Sequence, residues 1–477
     1  MILNNSELLG SLWHDFDLRE EQLRAVAERR LTESPPPQLD SQIVATYFLA
    51  LRSRRLSEIG PEIAYHATSG TKKPPTDSLL EECTGRAVGV DEWDTTGRIG
   101  LLHMAYPLKM LQSTDGSLTS TDLLHTAAGA IQFDVYENQD ARLLRLTIPE
   151  RIIRTFPGPA YGPLGLRKRT GFLPDEPAFG TILKPTAGIT PAEVGALVED
   201  AAQSPLFLFM KEDENLYPNL PYSPVAERTR QAVAAIRRIQ DQRGGKGMIF
   251  APHITASPHQ LIDIVHAVVE AGATGVMLSE SFTGGTVRMV REATKSLEHP
   301  PAIYGHNAGI GVKTRAVWRE VIDLLARLDG IDFRQTAPVR PGPPFIRPYR
   351  AEWEASEEIL TRPIPGINPV MIARAGGLDQ GNVILNLQDA RRRGITSSVL
   401  LLAGSAINSI YNREGRADPN YGAAAMRQAL DVYKSGELDD VPAEQHLMSL
   451  YEVAQRKSLT ELTDALRQRY PGAFGEA

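Results

Sequence analysis

The feature that most constrains the fold is a regular alternation that begins near residue 178. Eight short apolar runs follow one another, and most gaps between them carry a helical pattern. The runs are FGTILKP, LFLFMKED, GMIFAPHITA, GVMLSES, AIYGHNAG, IDFRQTA, PVMIARAGG and SVLLLAGS. Apolar strands that alternate with helices are typical of parallel sheets, and eight repeats favour a (β/α)8 barrel. A doubly wound open sheet is the alternative that this pattern leaves open.

Two of the intervening helices carry clear start signals. Thr190 precedes Pro191, and Ser257 precedes Pro258, so each pair predicts an N-cap followed by proline at the first helical position. Gly272 predicts the end of the second of these helices.

The chain before the barrel divides into two parts. Residues 1–40 predict a helical extension that ends at the Pro-rich ESPPPQL. Residues 41–160 mix strand-like segments, such as IVATYFLALR, with the helix-like TSTDLLHTAAGAI, which indicates an N-terminal α+β domain. Residues 161–477 are then predicted to form the barrel with C-terminal helices.

Composition and charge exclude several classes of protein. The 477 residues carry 51 basic and 58 acidic side chains, a net charge of −7, without a basic block for nucleic acid or an anionic membrane. No apolar run approaches the ~20 residues that a membrane span needs. The acidic residues near the start argue against a secretory or transit peptide. The single cysteine, Cys83, rules out an internal disulfide, so we expect a cytoplasmic protein.

Polar residues stand where most of the predicted strands end. In such barrels the active site lies at the carboxyl ends of the strands. The first five ends present Lys184; Lys211, Asp213 and Glu214; His253; Glu280; and His306 with Asn307. The last three present Arg334, then the small residues AGG at 375–377 and AGS at 403–405. The Gly-rich ends offer backbone N–H groups to an anion, as in barrel phosphate sites.

This set of side chains suits metal-assisted enolisation. Asp213 and Glu214 are oxygen ligands of the kind that Mg²⁺ takes, and both reach one metal only where a strand is ending. Lys211 becomes a third oxygen ligand if CO2 adds to its amine as a carbamate. Mg²⁺ held there polarises a carbonyl or hydroxyl, and Lys184 or the carbamate removes the adjacent C–H proton.

Five segments carry a family resemblance. GTILKPTAGIT at 180–190 resembles the motif GT(I)KPKxGL, and FMKEDEN at 209–215 resembles FxKDDEN, of the large subunit of ribulose bisphosphate carboxylase (RuBisCO). SFTGG at 281–285, TFPGPAYG at 155–162 and EECTG at 81–85 are also similar to family segments. The chain most resembles the non-carboxylating form IV RuBisCO-like proteins.

The resemblance implies a fold, an assembly and residue roles. It implies an N-terminal ferredoxin-like α+β domain, a barrel, and a head-to-tail homodimer with shared active sites, in which dimers can assemble further. It implies that Lys211 is the carbamate and that Asp213 and Glu214 are metal ligands. It also implies enolising or proton-transfer roles for Lys184 and His306. The remaining implied contacts are Gly376, Gly377 and Gly404 at a phosphate subsite, and Glu81 reaching in from the partner chain.

The departures from the family pattern argue against carboxylation. The second lysine of KPK is Thr186, the arginine after the barrel histidine is Asn307, and a strand-six histidine is Arg334. The loop PVRPGPPFIRP lacks the lysine that orients CO2. Other family residues are replaced by Ala87, Ala130, Ala375, Ala403 and Ser405. Arg86 and Arg334 are candidates for a rebuilt anion site, and Thr186, His253, Asn307 and Ser405 are further candidate substrate contacts.

The sequence therefore predicts a Mg²⁺-dependent enolase, isomerase or decarboxylase that acts on a sugar phosphate or sugar acid. Enolisation of 2,3-diketo-5-methylthiopentyl 1-phosphate ranks second, because it requires a lysine of the N-terminal domain near the position where this chain has Ala130. Isomerisation of methylthioribulose phosphate is another family chemistry. Arg334 favours a carboxylate-bearing substrate and hence a decarboxylase. A catalytically inactive regulatory or binding relative is the alternative from a different class.

Overall fold

The computed structural model describes residues 20–71, 73–133, 135–281, 284–341 and 350–474. The chain forms two compact units. The first contains the described residues up to Thr155 together with Lys313–Ile322, and the second contains Phe156–Val312 and the chain from Asp323 onward. Within the described ranges, no helix is long and apolar enough to cross a membrane.

The N-terminal unit is built on a four-stranded antiparallel sheet. Its strands are Gln42–Leu51, Arg86–Glu92, Ile99–Pro107 and Asn138–Thr147, and their spatial order is second, third, first, fourth. The helix Leu56–His66 follows the first strand, and the helix Ser120–Phe133 precedes the last. This βαββαβ order and pairing is the ferredoxin-like topology, so the predicted fold of this domain is confirmed.

Residues 20–33 form a helix that packs on the same unit. Ala27 and Leu31 join an apolar cluster with Phe48, Leu101 and Leu144 of the sheet. Tyr47, next to Phe48 in the first strand, points to the opposite face of the sheet, where its hydroxyl donates to the carbonyl of Ala127 at 2.7 Å. The helical extension predicted for residues 1–40 is therefore helical over 20–33, and residues 1–19 lie outside the described residues.

The second unit contains the eight predicted strands as a closed parallel barrel. In chain order the strands are Ala178–Ile182, Phe207–Lys211, Ile249–Ala251, Gly275–Leu278, Ala302–Gly305, Phe333–Thr336, Met371–Arg374 and Val399–Ala403. We call them barrel strands one to eight. Each pairs with its neighbours in sequence, and strand eight pairs with strand one. A parallel bridge between His253 and Met277 joins strands three and four and closes the ring, which excludes the open-sheet alternative.

Helices surround this barrel in the predicted alternation. Those that follow strands one to eight include Pro191–Ala202, Val225–Ile239, Pro258–Glu270, Thr286–Thr294, Arg319–Asp329, Arg350–Thr361, Val383–Arg392 and Pro419–Ser435. The helices His446–Arg456 and Thr460–Arg469 come after them. Shorter helices are Leu79–Glu82, Glu150–Ile153, Gly162–Thr170, Ile310–Lys313 and Ser405–Asn408.

The two predicted helix starts differ in how they are capped. The Thr190 hydroxyl accepts from the backbone N–H of Glu193, whose side chain returns to Thr190 in a capping box. Ser257 occupies the N-cap position, but its side chain makes no capping hydrogen bond. Gly272 follows the last helical turn with φ +93°, as predicted for a helix end.

Aromatic side chains lie in the barrel interior and show which residues of strand two face inward. The ring of Phe209 lies 4.6 Å from that of Phe333 and 5.4 Å from that of Tyr304, measured between centroids. Because side chains alternate along a strand, Lys211 shares the inward face of Phe209. Met210 packs instead in the apolar layer between the barrel and its helices. The next outward position is Glu212.

Candidate active site

Strand two ends in a buried lysine surrounded by polar groups. Only 1% of the Lys211 surface is exposed. Its Nζ donates to the backbone carbonyl of Glu212 at 3.1 Å and lies 4.0 Å from Oε2 of Glu214. It also stands 5.7 Å from the ring centroid of Tyr304. The predicted proximity of Lys211 to the Asp213–Glu214 pair is therefore observed at the carboxyl end of strand two.

Lys184 reaches the same point from the end of strand one. Its Nζ donates to Oδ2 of Asp213 at 2.6 Å, while Oδ1 accepts from the backbone N–H of Asn215 at 3.2 Å. Burial by itself raises the pKa of Asp213, but these hydrogen bonds and the charges of Lys184 and Lys211 lower it overall. Asp213 is therefore an ionised carboxylate at neutral pH, as a metal ligand must be.

Burial changes the chemistry of Lys211. It lowers the pKa of this amine to about 8, against the opposing charges of Glu214 and Asp213. About a tenth of the amine is therefore neutral at pH 7, far more than in an ordinary lysine, and only the neutral amine adds to CO2. Burial of Lys211 thus favours the carbamate that the sequence predicts, because it enlarges the neutral fraction.

The donor set fits Mg²⁺ once Lys211 is carbamylated. Across the described ranges, no group of three or more His, Cys, Asp or Glu side chains is arranged to hold a metal. Asp213 and Glu214 supply two carboxylates, and the carbamate oxygen of Lys211 would complete a set of three oxygen ligands. Hard oxygen ligands of this kind, with water in the remaining positions, are the ones that Mg²⁺ takes.

His306, at the end of strand five, contacts Glu214. Its Nδ1 accepts from the backbone N–H of Ala308 at 3.1 Å, and its Nε2 lies 3.4 Å from Oε2 of Glu214. Burial, followed by the charge of Lys211, lowers the pKa of His306 well below its usual value, so the imidazole is neutral. Because Nδ1 is the acceptor, the ring proton resides on Nε2 and is directed at Glu214.

The other predicted contacts on strands three and five are anchored to backbone carbonyls. Nδ1 of buried His253 donates to the carbonyl of Leu216 at 3.2 Å, and burial lowers its pKa to about 4. The side-chain amide of Asn307 donates to the carbonyl of Gln335 at 3.0 Å. Thr186 is half-buried in the loop after strand one. Their roles as substrate contacts stay predictions.

Several buried polar atoms on strands three to six lack a protein partner. Among the described residues these include Nε2 of His253, Oε2 of Glu280, Oγ of Ser281, the hydroxyl of Tyr304 and Nη2 of Arg334. Buried polar atoms are rarely left unpaired in folded proteins without water or a ligand. Bound water or a ligand at this end of the barrel would satisfy these atoms.

The predicted phosphate subsite lines a cavity of about 680 Å³. Gly376, Gly377, Gly404, Ser405 and Lys184 all contribute to its wall. Gly376 and Gly377 have φ values of +85° and +93°, which disfavour any residue with a side chain. The structure thus brings together the residues that the sequence predicted at this subsite.

Two arginines that sequence reasoning missed also line this cavity. Arg340 lies in the loop after strand six, where the sequence showed only the loss of a lysine. Arg469 ends the last helix, and its Nη1 donates to Oγ of Ser405 at 3.2 Å. Tyr470, next to it, donates its hydroxyl to Oδ1 of Asp379 at 2.7 Å. The sequence signal for Arg340 was its position in the loop that lacks the family lysine, whereas no local sequence pattern marks Arg469.

Arg334 is bound differently from what the sequence suggested. Its guanidinium is fully buried, its Nε donates to Oδ1 of Asp323 at 2.6 Å, and its Nη1 is hydrogen-bonded to Glu280. Burial alone lowers the pKa of Arg334, but these two carboxylates raise it overall. The pairing weakens the argument that Arg334 receives a substrate carboxylate, because its charge is already balanced.

Glu81 and Arg86 lie in the N-terminal unit, and both are exposed. The carboxylate of Glu81 accepts from the backbone N–H of Asp77 at 2.7 Å. Nη2 of Arg86 donates to Oε1 of Gln42 at 3.3 Å. Their predicted roles, in the partner's site and in anion binding, stay predictions.

Comparisons with known proteins agree with this fold. Residues 167–342 match the family model described as ribulose bisphosphate carboxylase large chain, catalytic domain. An uncharacterized ribulose bisphosphate carboxylase-like protein of Bordetella bronchiseptica is 28% identical over 310 residues, or 62% of this chain and 67% of the relative. A 3-oxo-isoapionate-4-phosphate decarboxylase of Rhizobium rhizogenes is 27% identical over 404 residues, or 79% and 90%. The octameric RuBisCO of Pyrococcus horikoshii superposes with a TM-score of 0.74 at 22% identity, covering 91% of this chain and 94% of that one.

The ferredoxin-like domain, the barrel and the family match together define the class of protein. The chain contains a RuBisCO large-chain catalytic domain, which the family model matches over residues 167–342. Its relatives include RuBisCO-like proteins, and it is consistent with the non-carboxylating form IV.

Proposed function

We propose that this chain is a Mg²⁺-dependent RuBisCO-like enzyme that enolises a sugar phosphate or sugar acid, and that it does not fix CO2. The observation that carries the proposal is the buried Lys211 amine beside Asp213 and Glu214, with Lys184 2.6 Å from Asp213. Mg²⁺ held by the carbamylated Lys211, Asp213 and Glu214 would polarise a substrate carbonyl or hydroxyl.

The proposed proton transfer uses Lys184, with His306 as a hydrogen-bond donor. Lys184 donates to Oδ2 of Asp213, a predicted metal ligand, and its amine, once it has given up its own proton, would take the proton from the carbon next to the substrate carbonyl. His306 is neutral and carries its proton on Nε2, which faces Glu214, so it would donate a hydrogen bond on the other side of the site. Neither step needs the CO2-orienting lysine that the loop after strand six lacks.

The cavity beyond the metal ligands supports an anionic substrate. Its wall contains the paired glycines of strand seven, Ser405, and the cationic side chains Lys184, Arg340 and Arg469. It also contains the carboxylates of Asp379, which lies 3.7 Å from Arg469, and Glu444, so the glycine N–H groups and Arg340 carry most of the argument. Guanidinium groups and backbone N–H groups are the usual partners of phosphate and carboxylate. We infer that this cavity holds the phosphate or carboxylate end of the substrate while its hydroxy-ketone end meets the metal.

The choice among decarboxylation, isomerisation and enolisation rests on the similarity to known enzymes more than on Arg334, whose charge is already balanced. The Rhizobium relative decarboxylates 3-oxo-isoapionate 4-phosphate and covers 79% of the chain. That similarity makes decarboxylation or isomerisation of a branched sugar-acid phosphate the first reaction to test. Enolisation of 2,3-diketo-5-methylthiopentyl 1-phosphate remains second, because the lysine it requires is replaced by Ala130.

We also propose that the active form is a homodimer, or an assembly of dimers, in which Glu81 of each chain enters the site of the other. The resemblance to RuBisCO supports this arrangement, and the Pyrococcus horikoshii RuBisCO is an octamer.

Solvent-deuterium exchange into candidate substrates tests the proposed function. The purified protein with Mg²⁺ and bicarbonate is incubated in D2O with a panel of sugar-acid phosphates and hydroxy-ketone phosphates, and exchange at the carbon next to the carbonyl is read by proton NMR. The proposal predicts exchange in at least one compound and none with Lys184→Ala. A protein that binds Mg²⁺ but exchanges no compound of a broad panel would be the inactive binding relative instead.

A further inference from the structure

A buried ion pair lies directly behind the metal-ligand segment. Glu212 stands between Lys211 and Asp213, but its side chain points outward, towards the helix Val225–Ile239. There it meets Arg228: Nε donates to Oε1 at 2.8 Å and Nη2 donates to Oε2 at 2.9 Å. Both side chains are fully buried.

Arg228 also binds the loop that carries the metal ligands. Its Nη2 donates to the carbonyl of Leu216 at 3.4 Å, and its Nη1 donates to the carbonyl of Tyr217 at 3.3 Å and to that of Ser223. One guanidinium thus holds the end of strand two and both sides of the loop that follows it.

His253 links this pair to strand three. Its backbone N–H donates to Oε2 of Glu212 at 2.9 Å, and its ring donates to the carbonyl of Leu216 at 3.2 Å. Asp213 and Glu214 therefore lie between two points that are fixed by the same network, namely Glu212 before them and Leu216 after them.

Stability alone does not explain an ion pair at this position. Met210 points to the same outward side of strand two as Glu212. It belongs to an apolar cluster with Ala232 and Ala235 of the helix that carries Arg228. A buried ion pair in such a layer is often no more stabilising than apolar side chains of similar volume, since desolvation offsets the attraction. What apolar side chains cannot do is hold three carbonyl groups and a strand end with directed hydrogen bonds.

We propose that Glu212 and Arg228, with His253, form a clamp that positions Asp213 and Glu214 for Mg²⁺. Glu212 and Arg228 are positioning residues, because both side chains are fully buried behind the metal-ligand segment. Partners of metal ligands typically change metal affinity 10–100-fold when they are removed. The clamp sets the backbone of residues 213–217 before the metal arrives, so it lowers the ordering cost of binding.

Two variants and one control test the clamp. Glu212→Asp shortens the carboxylate by one methylene and keeps its charge, so the two-point contact with Arg228 is lost. The double variant Glu212→Gln, Arg228→Met removes both buried charges together and leaves no unpaired ion. The control, Arg238→Met, lies on the same helix as Arg228 and breaks an exposed ion pair with Glu199 of the helix Pro191–Ala202.

The readouts are amide hydrogen exchange of residues 212–224 in the metal-free protein and the Mg²⁺ dissociation constant at saturating CO2. We expect exchange in this segment to accelerate at least about tenfold, and Mg²⁺ affinity to weaken about 10–100-fold, in both clamp variants and not in the control. A shift in melting temperature alone, with either readout at its wild-type value in both variants, overturns the clamp.

The Mg²⁺ measurement rests on the proposed function, whereas the exchange measurement does not. If the wild-type protein shows no CO2-dependent Mg²⁺ binding, the proposed function fails, and wild-type exchange rates in both clamp variants would still refute the clamp on their own.

Discussion

At the scale of single residues, the behaviour of Lys211 follows from its burial. An ammonium group at the end of a strand, next to two carboxylates, would ordinarily stay protonated. Removal from water outweighs those carboxylates and brings the pKa of this amine to about 8. Burial therefore makes Lys211 a poor counter-ion for the carboxylates and, because more of its amine is neutral, a better nucleophile towards CO2.

Carbamylation of Lys211 should follow the titration of its amine. At a fixed concentration of dissolved CO2, the rate should rise about fivefold from pH 7 to pH 8 and level off above about pH 9, because the neutral fraction then saturates. The rate is measured with ¹³CO2 by NMR. A rate that keeps rising tenfold per unit towards pH 10 would show an ordinary, solvated lysine and contradict the assignment.

Lys184 should be needed for proton transfer and not for the metal. Lys184→Ala removes the partner of Asp213 and leaves both carboxylates and Lys211 in place. We expect Mg²⁺ affinity to stay the same or to tighten, while substrate deuterium exchange falls about 10²–10⁴-fold. Loss of Mg²⁺ binding in this variant would assign Lys184 to the metal site instead.

The sequence could predict which side chains meet at the end of strand two, but it could not predict the ion-pair partners of a residue such as Arg334. Lys211, Asp213 and Glu214 are close along the chain, so a strand end places them together whatever the rest of the fold does. Arg334 is paired with Asp323 and Glu280, which lie 11 and 54 residues away. Such pairings depend on how helices pack on the barrel, and no local pattern specifies them.

At the scale of elements, the alternation of strands and helices favoured a barrel over an open sheet, and the structure confirms the barrel. All eight apolar runs are strands, because a strand buried on both faces has few polar residues until it ends. The Thr190 capping box formed, whereas Ser257, with the same Ser/Thr-Pro signal, makes no side-chain cap. Residue type identifies the N-cap position, but the local backbone decides whether the hydroxyl meets an N–H group.

This difference predicts unequal effects of two similar substitutions. Thr190→Ala removes a side-chain cap and should cost about 1 kcal/mol of stability, whereas Ser257→Ala should cost only a few tenths. Each variant is compared with the wild type by urea denaturation at the transition that reports the barrel. Equal shifts for the two variants would contradict the capping geometry.

At the scale of the whole molecule, the chain is two units with separate cores. The order of elements in the sequence indicated an α+β unit before the barrel. It gave no sign that Lys313–Ile322, within the barrel sequence, belongs to the N-terminal unit. Contacts of that segment, such as Arg24 with Glu320 at 2.8 Å, join positions nearly 300 residues apart.

The proposed shared site makes a prediction about mixed assemblies. Glu81→Ala and Lys211→Ala should each be inactive alone. When both proteins are unfolded and refolded together, half of the dimers are mixed, and each mixed dimer has one intact site. About a quarter of the wild-type activity should therefore return. No recovery, with mixed dimers shown by native mass spectrometry, would place both residues in the site of one chain.

The measurement that tests the central claim most directly is the Mg²⁺ affinity of the protein with and without CO2, by titration calorimetry of the wild type and Lys211→Ala. If a carbamate on Lys211 completes the ligand set with Asp213 and Glu214, CO2 should tighten binding by at least about tenfold in the wild type and leave the variant unchanged. Equal affinity in all four conditions would contradict the carbamate and, with it, this account of the site.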